Sequence, residues 1–136
     1  MKWNDSSYHE LNNLIIGCMY KVHKKIGPGF LECIYHKALK IELLKCFEQV
    51  ETEKEYKFFY DNVEIGKYIL DLVIENKVLV EVKAVKELNN HHKSQIISQL
   101  RISNILIGLL VNFSKKDLKF KRYDNFYEIE RLNLKL

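Results

Sequence analysis

Residues 78–85 read Val-Leu-Val-Glu-Val-Lys-Ala-Val, and this run limits the fold more than any other segment of the chain. The β-branched residues predict a strand whose even positions, Val78, Val80, Val82 and Ala84, make one face wholly apolar. Glu81 and Lys83 therefore share the other face. A strand this apolar belongs in the middle of a sheet covered on both sides, where a charged pair is costly to desolvate. The segment before it, Ile69-Leu70-Asp71-Leu72-Val73-Ile74, has the same oddity in Asp71. Two acids ten positions apart across a hairpin invite a cation. Pairing Asp71 with Glu81 places Ile74 opposite Val78 and leaves a three-residue loop in which Asn76 tolerates φ > 0. A two-residue turn would put Asp71 on the opposite face unless a bulge intervened.

The remaining elements follow from periodicity. Leu11, Leu14, Ile15, Cys18, Met19, Val22 and Ile26 step by three and four, predicting a helix over residues 7–26 that opens on a Ser7–Glu10 capping box and stops at Gly27-Pro28-Gly29. A second helix is expected over 30–47, with Leu31, Ile34, Tyr35 and Ala38 on one face. Residues 56–60, a turn at Asp61-Asn62 and residues 63–68 predict a hairpin; residues 68–74 either continue its second strand or begin another. A helix over 92–103 and a buried strand over 105–113 come next. The tail from Lys115, with Phe120, Tyr123, Phe126 and Tyr127, reads as an edge strand, a short helix or both. The expected class is α/β (α+β): a mixed sheet flanked by helices, in the order α-α-β-β-β-α-β.

The 136 residues predict one domain over 1–136. The longest apolar run, residues 105–111, falls far short of the ~20 residues of a membrane helix. The start, Met1-Lys2-Trp3-Asn4-Asp5, lacks a signal-peptide core, so a cytoplasmic protein with no membrane partner is expected. Cys18, Cys33 and Cys46 have no metal or redox spacing and read as small reduced core residues. The net charge is +4, and it is uneven: +3 over residues 1–40, −4 over 41–90 and +5 over 91–136. An acidic middle between basic ends suits a site that binds a cation while its rims meet a polyanion.

The stretch Gly29-Phe30-Leu31-Glu32-Cys33-Ile34-Tyr35 resembles the signature of the GxxExxY proteins, small prokaryotic members of the PD-(D/E)XK nuclease superfamily. The resemblance runs on through Tyr20-Lys21-Val22-His23, Tyr68-Ile69-Leu70-Asp71-Leu72, Val80-Glu81-Val82-Lys83-Ala84-Val85, Gln95 and Leu109-Leu110-Val111-Asn112-Phe113, over roughly residues 14–123. It implies a divalent-metal-dependent nuclease that hydrolyses DNA (or RNA) phosphodiesters. Asp71 and Glu81 would hold Mg²⁺ or Mn²⁺ with the backbone carbonyl of Val82, Glu32 would complete the acidic cluster, and Lys83 would be catalytic. Gln95 and Tyr35 would either support the site from behind its ligands or position substrate. Ile69 and Gln99 stand where relatives often carry arginine and tyrosine, which touches substrate contact rather than the metal site.

Other readings stand beside this one. Asp71, Glu81 and Lys83 could form a structural ion network, and Glu32 could be an acid favoured near a helix N-terminus. The chain could be a catalytically silent nucleic-acid-binding or assembly module on the same fold, or a hydrolase of small nucleotides; a protein partner is compatible with either. His91-His92 is expected beside a turn, solvated or near phosphate, and His23 and His36 as packed or solvated. Lys115, Lys116, Lys119, Lys121 and Arg122, interleaved with Phe120 and Tyr123, could track a phosphate backbone or protect a strand edge.

Overall fold

A computed structural model describes residues 5–132, with side chains from residue 8. The elements are α1 (Asp5–Ile26), α2 (Glu32–Leu44), β1 (Val50–Tyr60), β2 (Val63–Ile74), β3 (Val78–Lys83), α3 (Asn90–Ser103), β4 (Ile107–Asn112), β5 (Lys119–Asp124) and α4 (Phe126–Arg131). The expected order holds, and the tail resolves into an edge strand followed by a short helix. The five strands form one mixed sheet in sequence order: β1, β2 and β3 are antiparallel neighbours, β3 and β4 are parallel, and β5 returns antiparallel. The parallel pair requires a crossover, which α3 supplies.

Helices cover both faces. Ile15, Met19 and Val22 of α1 and Tyr35, Leu39 and Leu43 of α2 pack on Leu72, Ile74, Val78, Val80, Val82, Leu109 and Val111. On the other side Ile96 and Leu100 of α3 pack on Leu70, Val73, Leu79 and Leu110. Helix α3 approaches β4 so closely that a Cβ on Gly108 would stand 2.9 Å from Ile96 Cδ1. No helix among the described residues is long and apolar enough to cross a membrane.

Several expectations are corrected. Helix α1 begins at Asp5, so Ser7 lies inside it rather than capping it, and the Ser7 side chain is outside the described residues. Helix α2 is shorter than 30–47 and buries Tyr35, Leu39, Glu42 and Leu43; Leu31 and Ile34 are exposed because α1 and the sheet meet the other face. Strand β3 stops at Lys83, two residues early. His91 and His92 belong to the first turn of α3, where Asn89 Oδ1 accepts both their N–H groups and His92 Nδ1 accepts the Asn89 N–H, closing a capping box. Only Cys18 is buried; Cys33 and Cys46 are exposed.

The β1–β2 hairpin departs most from simple alternation. Its pairing is regular from Val50↔Ile74 to Thr52↔Leu72 and resumes at Lys54↔Leu70, skipping Glu53 and Asp71. Glu53 has φ +50°, in the left-handed region. On one side of this break Val50, Leu72 and Ile74 face α1 and α2; on the other Tyr56, Tyr68 and Leu70 face α3. The ribbon exchanges faces at Asp71 without losing register.

Candidate active site

Asp71 sits at that exchange point. The β2–β3 register is the one expected, with Ile74↔Val78, Val73↔Leu79 and Leu72↔Val80 in line, but ladder pairing ends there. In place of a further ladder pair, Glu81 Oε1 accepts the Asp71 N–H at 3.2 Å and Asp71 Oδ2 accepts the Val82 N–H at 3.0 Å. The carboxylates therefore fill a seam where β2 and β3 part. Satisfied backbone amides explain how acids survive there, since an unpaired buried N–H would itself be costly.

Burial and mutual repulsion set their electrostatics. Glu81 is only 3% exposed. Burial first, and then the Asp71 charge, push its carboxyl up to about 8, against smaller opposing effects that include Lys83. Lys83 lies two residues on, where its Nζ donates to Gln95 Oε1 of α3 at 3.4 Å. Glu32, the first residue of α2, projects into the same region: partial burial raises its pKa, Asp71 adds to the rise, and Lys83 and His36 oppose it. The structure thus brings Asp71, Glu81, Lys83, Gln95 and Glu32 together from four elements.

Glu32 is placed by the loop before it. Gly27 and Gly29 adopt φ +77° and +97°, a conformation glycine enters without strain. Tyr35 is fully buried and stacks on Phe113 at 4.8 Å; its hydroxyl donates to the Gly27 carbonyl at 2.6 Å and accepts the Phe30 N–H at 3.1 Å. A side chain so enclosed cannot touch substrate, so the substrate-positioning reading of Tyr35 is corrected: it clamps the loop that delivers Glu32.

Lys121 is exposed and stands in the cross-strand row Glu81–Leu110–Lys121, two strands or roughly 10 Å from Glu81. Arg122, beside it, donates from Nε to Asp124 Oδ1 at 2.9 Å. Both lie away from the carboxylates, at the rim.

Three residues of the site escape a reading of the sequence. His36 donates from Nε2 to the Asp71 carbonyl at 3.1 Å, which fixes Asp71 from the α2 side. It lies four residues after Glu32, a spacing that places both on one helix face and is legible in the chain. His92 has a lowered pKa from burial, with Lys83 and His91 adding to the effect. Buried Asn112 accepts the Val85 and Ser114 N–H groups and donates to the Val85 carbonyl, pinning the chain where it leaves β3 after Lys83. Nothing local in the sequence announces that role.

The donor set is chemically suited to a hard divalent cation. Asp71, Glu81 and Glu32 offer carboxylate oxygens, the Val82 backbone offers a carbonyl, and a cation would offset both the burial and the Asp71 repulsion that push the Glu81 carboxyl up. Among the described residues no three His, Cys, Asp or Glu side chains are already arranged as a cage. Mg²⁺ commonly takes one or two carboxylates and keeps its waters, so two protein acids suffice.

No curated protein matches the sequence. The crystal structure of SSO0001 superposes with a TM-score of 0.55 at 21% identity, covering 74% of this chain and 55% of that one, a likeness of fold. The chain therefore spans about half the length of that protein. The family model of the PD-(D/E)XK nuclease superfamily matches residues 9–123 and so takes in every element from α1 to β5 that builds the seam. This chain belongs to the PD-(D/E)XK nuclease superfamily.

Proposed function

We propose that the protein is a divalent-metal-dependent nuclease that hydrolyses DNA phosphodiester bonds. The observation that carries this reading is the seam itself: two carboxylates held against each other by backbone amides, with an ammonium alongside. Burial and the neighbouring Asp71 push the Glu81 carboxyl up to about 8, a cost that a cation bound between the two acids would offset.

Asp71 and Glu81 would hold Mg²⁺ or Mn²⁺, with the Val82 carbonyl as a further ligand and Glu32 acting directly or through water. The ion would polarise the scissile phosphate and lower the pKa of a bound water. Lys83 places a positive charge where negative charge grows on the phosphoryl oxygens, and Gln95 holds that ammonium in place. His36 and Asn112 keep Asp71 and the end of β3 from shifting. Lys121 and Arg122 would meet phosphates beyond the site. The superfamily's members are mostly nucleases, and their general use of divalent metals agrees with this assignment.

Cleavage of end-labelled linear and closed-circular DNA in Mg²⁺, Mn²⁺ or chelator is the direct test, with wild type and Lys83→Ala purified identically. Metal-dependent cutting lost in Lys83→Ala supports the assignment, and full activity in that variant overturns it. A second reading, a silent nucleic-acid-binding module, draws on the same hydrogen bonds, because both carboxylates already have backbone partners. Mn²⁺ should raise the melting temperature of wild type and leave Asp71→Asn unmoved; equal shifts would favour the silent module.

A further inference from the structure

The flank of α3 turned away from Gln95 borders a second concavity of about 490 Å³, between α3, the end of β5 and α4. Its size matches one or two nucleotides rather than a macromolecular face. Lys93 and Ile97 line it from α3, Arg122 and Tyr123 from β5, and Phe126 and Tyr127 from α4. Phe126 and Tyr127, adjacent in this lining, are 59% and 61% exposed. The helix that carries them is held in place. Asn125, buried before α4, donates from Nδ2 to the carbonyls of Leu100 and Ile105 and accepts the Glu128 N–H, tying α4 to the end of α3. The Arg101 guanidinium lies 4.1 Å from the Tyr127 ring centroid and steadies that ring further. Asp124 is the one acid in the lining, and Arg122 pairs with it.

We infer that this groove binds unpaired nucleotides of a nucleic-acid strand, with bases stacked on Phe126 and Tyr127 and the backbone drawn by Lys93. Rigid exposed aromatics beside cations form the combination that captures single strands without reading sequence. The charge favours a polyanion over an apolar peptide, and the two adjacent exposed rings favour flat bases over the side chains of an acidic peptide. The segment from residue 91 onward carries +5, and Lys119 and Lys121 extend the basic edge along β5. Position favours it too. Lys93 and Gln95 are two residues apart on α3 and so lie on opposite flanks of one helix. A strand leaving the carboxylate seam reaches the groove by crossing the first turn of α3, roughly the width of one helix. The inference deepens the nuclease reading by naming unpaired nucleotides next to the cleaved phosphate as part of its substrate.

The test is binding rather than cleavage. In chelator, fluorescein-labelled dT12 and a duplex of the same length are titrated with the full chain by anisotropy, for wild type, Phe126→Ala and Lys93→Gln. Wild type should prefer dT12. Phe126→Ala should weaken dT12 binding by about fivefold or more, because each stacked base contributes strongly. Lys93→Gln should flatten the salt dependence, lowering its logarithmic slope by about 0.7 for one phosphate left without its ammonium. Unchanged melting temperatures would show that both variants fold. Equal dT12 affinity in all three proteins, no dT12 binding by wild type, or self-association that Phe126→Ala abolishes would each overturn the inference. If wild type cuts DNA while Phe126→Ala binds dT12 normally, the groove fails and the nuclease stands; Phe126-dependent binding without cutting gives the reverse.

Discussion

Glu81→Gln should make the metal-free protein more stable while removing a ligand from its proposed site. The folded Glu81 carboxyl keeps its proton to about pH 8, against an ordinary value of 4.5, because it is buried beside Asp71. Between those two values the native state binds more protons than the unfolded chain, so stability falls as pH rises. At about 1.4 kcal/mol per pH unit the loss is roughly 3 kcal/mol at pH 7 and about 5 kcal/mol once pH exceeds 8, both upper figures. Glutamine has the same shape, cannot ionise, and can donate an amide N–H toward Asp71. Urea denaturation of wild type and Glu81→Gln in chelator, at pH 5 and pH 8.5, isolates this group because the other titrating residues are common to both proteins. The two should be nearly equal at pH 5, and the variant more stable by several kcal/mol at pH 8.5, an increase of roughly 10 °C in Tm. Millimolar Mn²⁺ should narrow the gap by stabilising wild type alone. Parallel pH profiles, with the same stability difference between variant and wild type at pH 8.5 as at pH 5, would refute the argument that Glu81 is held protonated against the seam.

Other consequences are open to measurement. Tyr35→Phe keeps the stack on Phe113 and removes the hydroxyl that bridges Gly27 and Phe30; it should cost about 1–2 kcal/mol in thermal unfolding and lower kcat through misplacement of Glu32. An unaltered kcat would show that the clamp does not govern the site. Gly108→Ala forces a methyl against Ile96 and should destabilise by about 1–3 kcal/mol, while adding Ile96→Val, which removes the Cδ1 met at 2.9 Å, should recover part of that in a double-mutant cycle. Lack of coupling would place the strain elsewhere.

The site is legible in its parts because its residue types defy their surroundings. Acids and a lysine within apolar β segments are costly, and Asp71, Glu81 and Lys83 stand out on that ground. The hairpin register follows from loop length and face matching. Alternation also predicts that Asp71 shares a face with Glu81, yet it cannot anticipate a left-handed Glu53 that turns the ribbon over. The buried face of α2 differs from expectation for a related reason: apolar spacing offers Leu31 and Ile34, whereas the Tyr35 clamp and the Gly27–Gly29 loop set the helix's rotation. Asn89-Asn90 reads as a break that would leave His92 beside a turn, but the Asn89 side chain starts α3 at once.

The order of the elements, the middle position of the apolar strand and the residues able to do chemistry are written in the chain itself, because they depend on local periodicity and on the cost of charge in apolar segments. Which atoms meet is a matter of tertiary structure. The closed fold parts β2 and β3 so that carboxylates replace ladder bonds, swings Glu32 and His36 onto Asp71, recruits Asn112 to anchor the end of β3, and puts Lys93 and Gln95 on opposite flanks of α3. Those outcomes rest on contacts between residues tens of positions apart, each worth little until the sheet and helices have closed around it.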